Sequence, residues 1–208
     1  MIKVIITDLG GVYFKKGTNI FLEKIEKKLK VKKDVLNDLF KSSGTNGNLY
    51  RKGRISKEEF WSKVLEKTGL TKDKIPMLEK LWFSSYTLNN GMKSLMAKLR
   101  KNYRVIVFSG NIKERMAYLD KKYNLKEQFD DFILSFDYGY NKNEPELYKI
   151  LAKKAGAKPD ECVVIDDKQE VLNMAAKIGF NTILFEDAKK LKKSLEKIGV
   201  KINNNVFK

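Results

Sequence analysis

The stretch Ile5-Ile-Thr-Asp8-Leu-Gly-Gly-Val12 determines how this sequence is interpreted. The β-branched apolar run from Ile2 to Thr7 predicts a buried strand, and Asp8 follows it directly. Gly10 and Gly11 leave the backbone after Asp8 free to turn its N–H groups onto phosphate oxygens, as in other anion-binding nests. The stretch therefore predicts a buried strand that ends in a polar turn able to hold an anion.

Four further short apolar runs predict buried strands: Val105–Phe108, Phe132–Leu134, Cys162–Ile165 and Thr182–Phe185. Helical patterns of crossover length lie between the later runs, at Lys113–Lys122, Pro145–Ala155 and Glu170–Ile178. Gly156 and Gly179 are placed as helix stops. Alternating strand and helix predicts an α/β fold with a doubly wound parallel sheet.

The segment between the first two predicted strands, about residues 12 to 99, is too long for one crossover and predicts an insertion. Helical spacing of apolar residues recurs within it, at Phe21, Leu22, Ile25 and Leu29 and again at Leu78, Leu81 and Trp82. Ser56-Lys-Glu-Glu59 is a capping box that predicts a helix start, and the turn formers of Ser42–Asn48 predict a loop or a break between helices. We expect a helical cap domain of residues 14–90 over a core of residues 1–13 and 91–208.

The composition is that of an ordinary globular protein, with 208 residues, 42% hydrophobic and 33% charged. Cys162 is the single cysteine, so an intramolecular disulfide is excluded. The first residues do not form a signal peptide, and no apolar stretch approaches the length needed to cross a membrane. We expect a cytoplasmic protein that does not associate with membranes.

The chain contains no histidine, which removes the commonest general base and every Ser-His or Cys-His nucleophile pair. Its formal net charge of +17 favours the attraction of anions, including phosphorylated metabolites. The lysines are dispersed over predicted amphipathic helices, and no RNA-binding aromatic motif or zinc spacing accompanies them. Nucleic acid is therefore an unlikely partner despite the basic charge.

Polar side chains directly follow three of the five predicted strands: Asp8, Ser109 and the pair Asp166-Asp167. A single aspartate after a strand is commonly a turn or cap residue. Three such positions would meet at the carboxyl edge of a parallel sheet, where ligands bind. A carboxylate nucleophile, a hydroxyl for phosphate and two carboxylates suited to Mg²⁺ together predict phosphoryl transfer.

These residues lie in four motifs that resemble those of the haloacid-dehalogenase-like hydrolases. Ile5–Val12 resembles the first motif and Val107-Phe-Ser109-Gly-Asn111 the second. Gly139-Tyr-Asn-Lys142-Asn-Glu-Pro145-Glu-Leu-Tyr148 is similar to the third, and Val163-Val-Ile-Asp166-Asp167 to the fourth. Their order fits across nearly the whole chain, and the insertion falls where the family places its helical cap. The resemblance implies a Rossmann-like core.

The resemblance also implies roles for individual residues. Asp8 would be the nucleophile and a metal ligand, with the backbone carbonyl of Gly10 as a second ligand. Asp166 and Asp167 would complete a Mg²⁺ site. Lys142 would neutralise charge on the nucleophile and on the transferring phosphoryl group.

Substrate binding is assigned to two groups of residues on different grounds. The resemblance implies that Ser109 and the N–H group of Gly110 hold phosphoryl oxygens, with Asn111 in the same motif. In the insertion, Arg51 and Arg54 are candidates to face the site because arginine forks suit phosphate groups.

Two aromatic residues of the insertion, Tyr50 and Trp61, are weaker candidates to face the site. For Trp61 we favour packing in the interior of the insertion.

Two positions depart from the family pattern. Active phosphatases of the family usually carry a second Asp, a general acid and base, where this chain has Gly10, although a sugar-phosphatase-like branch with glycine stays active. Proton transfer of this kind contributes a factor of roughly 10² to 10⁴ to the rate. Because Gly10 cannot supply it, the sequence does not assign the group that activates water. Asn143 replaces the usual Pro after Lys142, for which we expect only a local effect on helix entry.

The function predicted is a Mg²⁺-dependent phosphatase that hydrolyses a small phosphomonoester, such as a sugar phosphate, through an aspartyl-phosphate. The main alternative, motivated by Gly10, is a catalytically weak or inactive member of the fold that binds phosphate or a partner. A 2-haloacid dehalogenase also uses an Asp nucleophile, but it needs no metal, and the pair Asp166-Asp167 favours phosphate. The sequence indicates neither the particular substrate nor the oligomeric state.

Overall fold

The computed structural model describes residues 1–29 and 31–202, and it contains a five-stranded sheet in which all neighbouring strands are parallel. The strands are β1 (Val4–Thr7), β2 (Arg104–Ser109), β3 (Asp131–Leu134), β4 (Cys162–Asp166) and β5 (Asn181–Leu184). Their order is β3-β2-β1-β4-β5. The predicted strands and the doubly wound parallel sheet are thus confirmed, with strand ends moved by one or two residues.

The central strand β1 is buried on both faces, which explains its continuous apolar sequence. Ile5 and Val163 belong to the apolar cluster on one face of the sheet, and Val4 and Ile6 belong to the cluster on the other. Val4 pairs with Arg104 of β2 and with Cys162 of β4. The order of the strands reverses between β1 and β4, which is where ligands bind in open α/β sheets.

In the described residues, six α-helices lie between β1 and β2, and the first five fall within the range expected for the insertion: α1 (Gly17–Leu29), α2 (Lys33–Phe40), α3 (Thr45–Arg51), α4 (Lys57–Thr68) and α5 (Ile75–Ser84). The remaining helices are α6 (Met92–Leu99), α7 (Lys113–Tyr123), α8 (Leu125–Gln128), α9 (Ser135–Tyr138), α10 (Pro145–Ala155), α11 (Gln169–Ile178) and α12 (Ala188–Lys197). Within the described ranges, no helix combines the length and the apolar character needed to cross a membrane.

Several helix boundaries are set by the residues that predicted them. The Ser56 side chain accepts a hydrogen bond from the Glu59 N–H, and the Glu59 side chain accepts one from the Ser56 N–H, which completes the capping box. Gly156 and Gly179 end α10 and α11 in the left-handed conformation, at φ of 69° and 99°. These predictions are confirmed.

The predicted loop or break between helices over residues 42–48 is present but shorter than expected, because α2 ends at Phe40 and α3 already begins at Thr45. The Asp38 carboxylate accepts a hydrogen bond from the Thr45 N–H at 2.8 Å and so supports the first turn of the helix. Gly47 lies where a Cβ would come within 2.2 Å of the Lys41 carbonyl oxygen. Gly47 therefore allows α3 to pack closely against the backbone at Lys41.

Aromatic side chains fill the interior of the insertion. Phe40 lies 5.0 Å from both Phe21 and Trp82 between ring centroids, in edge-to-face arrangements. Trp61 is buried against Phe40 and donates its indole N–H to Glu79. The interpretation of Trp61 as a packing residue is confirmed. This interior is continuous with the apolar cluster on one face of the sheet.

Candidate functional site

The polar residues that follow β1, β2 and β4 meet at one edge of the sheet. Asp8 extends β1 by one residue, because its N–H donates to the Ile165 carbonyl at 3.0 Å. Ser109 ends β2 and Asp166 ends β4, and both strands are direct neighbours of β1. All three side chains are buried. The expected convergence of these side chains is therefore present.

Three carboxylates form a compact cluster at this edge. Asp8, Asp166 and Asp167 each offer an oxygen atom, and these atoms all lie within 4.8 Å of one another. The Oδ1 atom of Asp167 is buried and has no hydrogen-bond partner among the described residues, while Lys16 Nζ lies 2.8 Å from its Oδ2 atom. A buried oxygen without a partner and two further carboxylates at this spacing fit a hard divalent cation such as Mg²⁺.

Lys142 lies between two of these carboxylates. Its Nζ atom is 2.9 Å from Asp8 Oδ1 and also donates to Asp166 Oδ2. Burial lowers the pKa of Lys142, but the charges of Asp166 and Asp8 raise it by more, so the ammonium form is held. Burial raises the pKa of Asp166, which Lys142 opposes and Asp8 reinforces. Lys142 is thus a fixed positive charge beside Asp8.

The turn after Asp8 requires glycine at residue 11. Gly11 has a φ of 111°, and a Cβ placed on it would lie 2.5 Å from the Asp167 carboxylate. Its N–H donates to the Phe14 carbonyl at 2.7 Å, which closes the turn. Glycine here allows the backbone that follows β1 to approach the carboxylate cluster closely.

Ser109 ends β2, and Gly110 and Asn111 follow it in the loop that leads to α7. A Cβ on Gly110 would lie 3.2 Å from Asn141 Oδ1. The Asn111 Oδ1 atom accepts hydrogen bonds from the Ile112 N–H and from Arg115 Nε. The side-chain oxygen of Asn111 therefore orients Arg115.

A cavity of about 470 Å³ opens above the carboxylates, in the size range of small-molecule sites. It brings together the predicted residues Asp8, Gly10, Arg51, Ser109, Gly110, Asn111, Lys142, Asp166 and Asp167. It also includes residues that the sequence analysis did not select, among them Lys16, Thr18, Lys41, Tyr86, Arg115, Asn141, Lys168 and Glu170. The insertion and the sheet edge both contribute to its walls.

Arg54, predicted to bind substrate with Arg51, lies outside this cavity. Its side chain is exposed, and its Nη2 atom donates to the Gly139 carbonyl at 3.3 Å. Helix α3 ends at Arg51, and Gly53 then turns the chain at a φ of 65°. The interval of three residues therefore does not place the two arginines on one helical face, and the assignment of Arg54 needs this correction.

Polar contacts join the insertion to the sheet domain around the cavity. The pairs are Asn48 with Asn141, Tyr50 with Glu114, Lys52 with Glu144 and Ser42 with Lys168, at 2.5 to 3.2 Å. Tyr50 is thus tied to the first turn of α7. The insertion lies directly over the carboxyl edge of the sheet.

Two residues that sequence reasoning missed, Tyr86 and Arg115, are prominent in the walls. Tyr86 follows α5, and its hydroxyl lies 2.7 Å from the Thr18 hydroxyl. Arg115 lies four residues after Asn111, so a basic residue in the helix turn after the second motif was the available signal. No comparable signal exists for Tyr86, because its position depends on how the insertion folds.

Together, the parallel sheet and its acidic edge define an α/β protein with a carboxylate site suited to a divalent cation. The model of the haloacid dehalogenase-like hydrolase family matches residues 2–179, and this chain belongs to that family.

Relatives differ in how much of their length the chain spans. It is 24% identical over 190 residues to the D-ribitol-5-phosphate phosphatase of Bacteroides thetaiotaomicron, covering 88% of this chain and 91% of that protein. It is 28% identical over 148 residues to an uncharacterized protein of Dictyostelium discoideum, covering 67% of this chain and 64% of that protein. It spans only 39% of bifunctional epoxide hydrolase 2 of Sus scrofa, at 25% identity over 95% of this chain.

Solved structures support the same fold. The haloacid dehalogenase family enzyme bt-2542 of Bacteroides thetaiotaomicron, in complex with magnesium and inorganic phosphate, aligns with a TM-score of 0.72 at 24% identity. The alignment covers 90% of this chain and 96% of that one.

Proposed function

We propose that this protein is a Mg²⁺-dependent phosphatase that hydrolyses a small phosphomonoester through an aspartyl-phosphate on Asp8. One observation carries the proposal: the Asp8 carboxylate lies 2.9 Å from Lys142 Nζ and, with Asp166 and Asp167, belongs to a cluster of carboxylate oxygens within 4.8 Å. A nucleophile, a fixed cation and metal-binding oxygens are thus assembled below a cavity of substrate size.

In the first step, Asp8 attacks phosphorus and the leaving oxygen departs toward the cavity. Lys142 would offset the negative charge of both the attacking carboxylate and the phosphoryl group, and it needs no rearrangement because its position is already fixed. The Ser109 hydroxyl and the N–H of Gly110 would bind the phosphoryl oxygens. In the second step, water hydrolyses the aspartyl-phosphate and restores Asp8.

The metal site would be formed by Asp8, Asp166 and Asp167, with the backbone carbonyl of Gly10 as a further ligand. When bound, Mg²⁺ would screen the repulsion between the Asp8 carboxylate and the anionic substrate. Two relatives support phosphate as the group transferred. One is a D-ribitol-5-phosphate phosphatase, and the other is the flavin mononucleotide hydrolase 1 of Arabidopsis thaliana, which is 27% identical over 120 residues.

The test is release of inorganic phosphate from a panel of sugar phosphates and other phosphomonoesters, with Mg²⁺ and with chelator. Wild type is compared with Asp8→Asn and with Asp34→Asn, which changes an exposed aspartate in α2. We expect turnover that requires Mg²⁺, is lost in Asp8→Asn and persists in Asp34→Asn.

Gly10 supports a second candidate, a phosphate-binding protein with little or no turnover. No phosphate release from any ester by the folded wild type, together with Mg²⁺-dependent binding of inorganic phosphate, would establish that candidate. Phosphate release by Asp8→Asn at the wild-type rate would instead exclude Asp8 as the nucleophile.

A further inference from the structure

Two arginine side chains are buried in the wall of the cavity without an acidic partner. Arg51, at the end of α3, is 3% exposed and Arg115, in the first turn of α7, is 2% exposed. Within the described part of the chain, neither guanidinium forms an ion pair with a carboxylate. Charged groups are rarely buried unless paired, so this arrangement is suited to binding an anion.

The hydrogen bonds of Arg115 leave one of its donors unused, whereas both terminal nitrogens of Arg51 donate to carbonyl groups. Arg51 donates to the carbonyls of Gly47 and Phe40, both at 2.8 Å. Arg115 Nε donates to Asn111 Oδ1, but Arg115 Nη1 is buried and has no hydrogen-bond partner in residues 1–29 and 31–202. An unsatisfied buried donor on a charged group is costly, and a bound oxyanion would satisfy it.

Aromatic rings hold these guanidinium groups in place. The Arg115 Cζ atom lies 4.4 Å from the ring centroid of Tyr86 and 4.9 Å from that of Trp82. The Arg51 Cζ atom lies 6.0 Å from the same Trp82 ring. Contacts of this kind orient a guanidinium while leaving its N–H groups available for a planar acceptor.

Burial disfavours the charged forms of both guanidinium groups, and repulsion from Arg115 adds to this effect at Arg51. Burial lowers the pKa of Arg51, and the charge of Arg115 lowers it further, to about 10. Burial also lowers the pKa of Arg115, although charges such as that of Asp8 oppose this shift. Both groups nevertheless remain cationic at neutral pH.

The formal charge of the residues that line the cavity also favours the binding of an additional anionic group. Six basic side chains and four acidic side chains line it, which leaves a formal charge of +2. The basic residues are Lys16, Lys41, Arg51, Arg115, Lys142 and Lys168, and the acidic ones are Asp8, Asp166, Asp167 and Glu170. A divalent cation and a phosphomonoester dianion would cancel each other and leave this excess in place. One more anionic group would reduce it.

We propose that Arg51 and Arg115 bind a second oxyanion of the substrate, a carboxylate or a second phosphate, while its phosphomonoester lies at Asp8. This inference rests on the proposed function and narrows its substrate class to phosphate esters that carry another acidic group. Arg51 comes from the insertion and Arg115 from the helix after β2, so the site exists only where the two meet.

The test compares esters in matched pairs that differ in one acidic group. The pairs are glycerol 3-phosphate with 3-phosphoglycerate, glucitol 6-phosphate with 6-phosphogluconate, and fructose 6-phosphate with fructose 1,6-bisphosphate. The first two pairs test carboxylate, and the third tests phosphate. We expect wild type to favour the more acidic member of at least one pair by about tenfold or more in kcat/KM, because paired charges and hydrogen bonds carry strong discrimination.

Substitutions test whether the two arginines cause the preference for the more acidic ester. Arg115→Met and Arg51→Met should remove most of the preference, mainly by raising KM for the acidic ester, and Arg115→Lys should retain part of it. Arg54→Met is the matched control, because Arg54 lies outside the cavity, and it should leave the preference unchanged. Thermal unfolding of each variant confirms that it is folded.

Binding to the Asp8→Asn variant keeps the inference separate from turnover. Isothermal titration of the same pairs into this variant with Mg²⁺ should show the same preference, even if wild type releases no phosphate. Equal binding and equal kcat/KM within all three pairs would overturn the proposal. A preference that persists in both Met variants would overturn it as well, because other residues would then recognise the acidic group.

Discussion

The ring of Tyr86 lies 3.1 Å from the position that a Cβ on Gly10 would occupy, measured to its Cε1 atom. This separation is shorter than nearly all real contacts of a Cβ atom. Tyr86 is itself buried and its hydroxyl lies beside that of Thr18, so the ring has little room to withdraw. The space in which a side chain at residue 10 would begin is therefore closed by an aromatic residue of the insertion.

The first prediction is that Gly10→Asp does not produce a faster enzyme. The new side chain would press on Tyr86, and overpacking of this kind costs about 1–3 kcal/mol of unfolding free energy. Chemical denaturation measures the cost and phosphate release measures the rate. In a Tyr86→Ala background the same substitution should cost less, and an equal cost in both backgrounds would show that the two positions are not coupled.

The second prediction concerns Gly11. Gly11→Ala should weaken Mg²⁺ binding by tenfold or more, about 1.4 kcal/mol, because the methyl group would displace the Asp167 carboxylate. Gly69→Ala is the matched control, since Gly69 also has a positive φ, 69°, but has no atom within 4 Å of its Cβ position. Isothermal titration calorimetry with Mg²⁺ measures the affinity of each variant. Similar Mg²⁺ affinities in both would contradict the prediction.

The third prediction concerns Lys142. Lys142→Met leaves the buried carboxylates of Asp8 and Asp166 without their shared cation, and breaking a buried pair on one side costs about 3–5 kcal/mol. We expect the loss of stability to be larger in chelator than with Mg²⁺, because a divalent cation at the cluster would offset part of the repulsion. Thermal unfolding in both conditions measures it. An equal loss in both would argue against metal binding beside Lys142.

Activity of the same variant tests the role of Lys142 in the reaction. We expect kcat to fall by about 10² to 10³, the range observed when one group that stabilises transition-state charge is removed. Lys52→Met is a control that removes a lysine paired with Glu144 outside the carboxylate cluster, and it should retain most of the rate.

The sequence predicted the parts of the site that belong to strand ends. Asp8, Ser109 and Asp166 follow apolar runs directly, so their convergence required only a parallel sheet with β1 between β2 and β4. The third motif was placed by resemblance, since nothing in its local sequence brings Lys142 to Asp8. The site residues at the strand ends could therefore be predicted from local sequence patterns.

The residues of the insertion that line the cavity could not be predicted from local sequence patterns. Tyr86 reaches the cavity because α5 packs against the other helices of the insertion. Arg51 and Arg54 resembled each other in the sequence, yet α3 ends between them. These positions depend on tertiary packing and on one glycine turn rather than on periodicity.

The burial of Cys162 has a practical consequence. Its thiol is the only one in the chain and lies in β4, inaccessible to solvent, with its pKa raised by burial to about 11. A raised pKa reduces the reactive thiolate at pH 8, so alkylating reagents should modify the native protein very slowly and the denatured protein rapidly. The rate of labelling would then report how often β4 separates from its neighbours, and faster labelling on removal of Mg²⁺ would reveal how far ligand occupancy at the edge restrains the centre of the sheet.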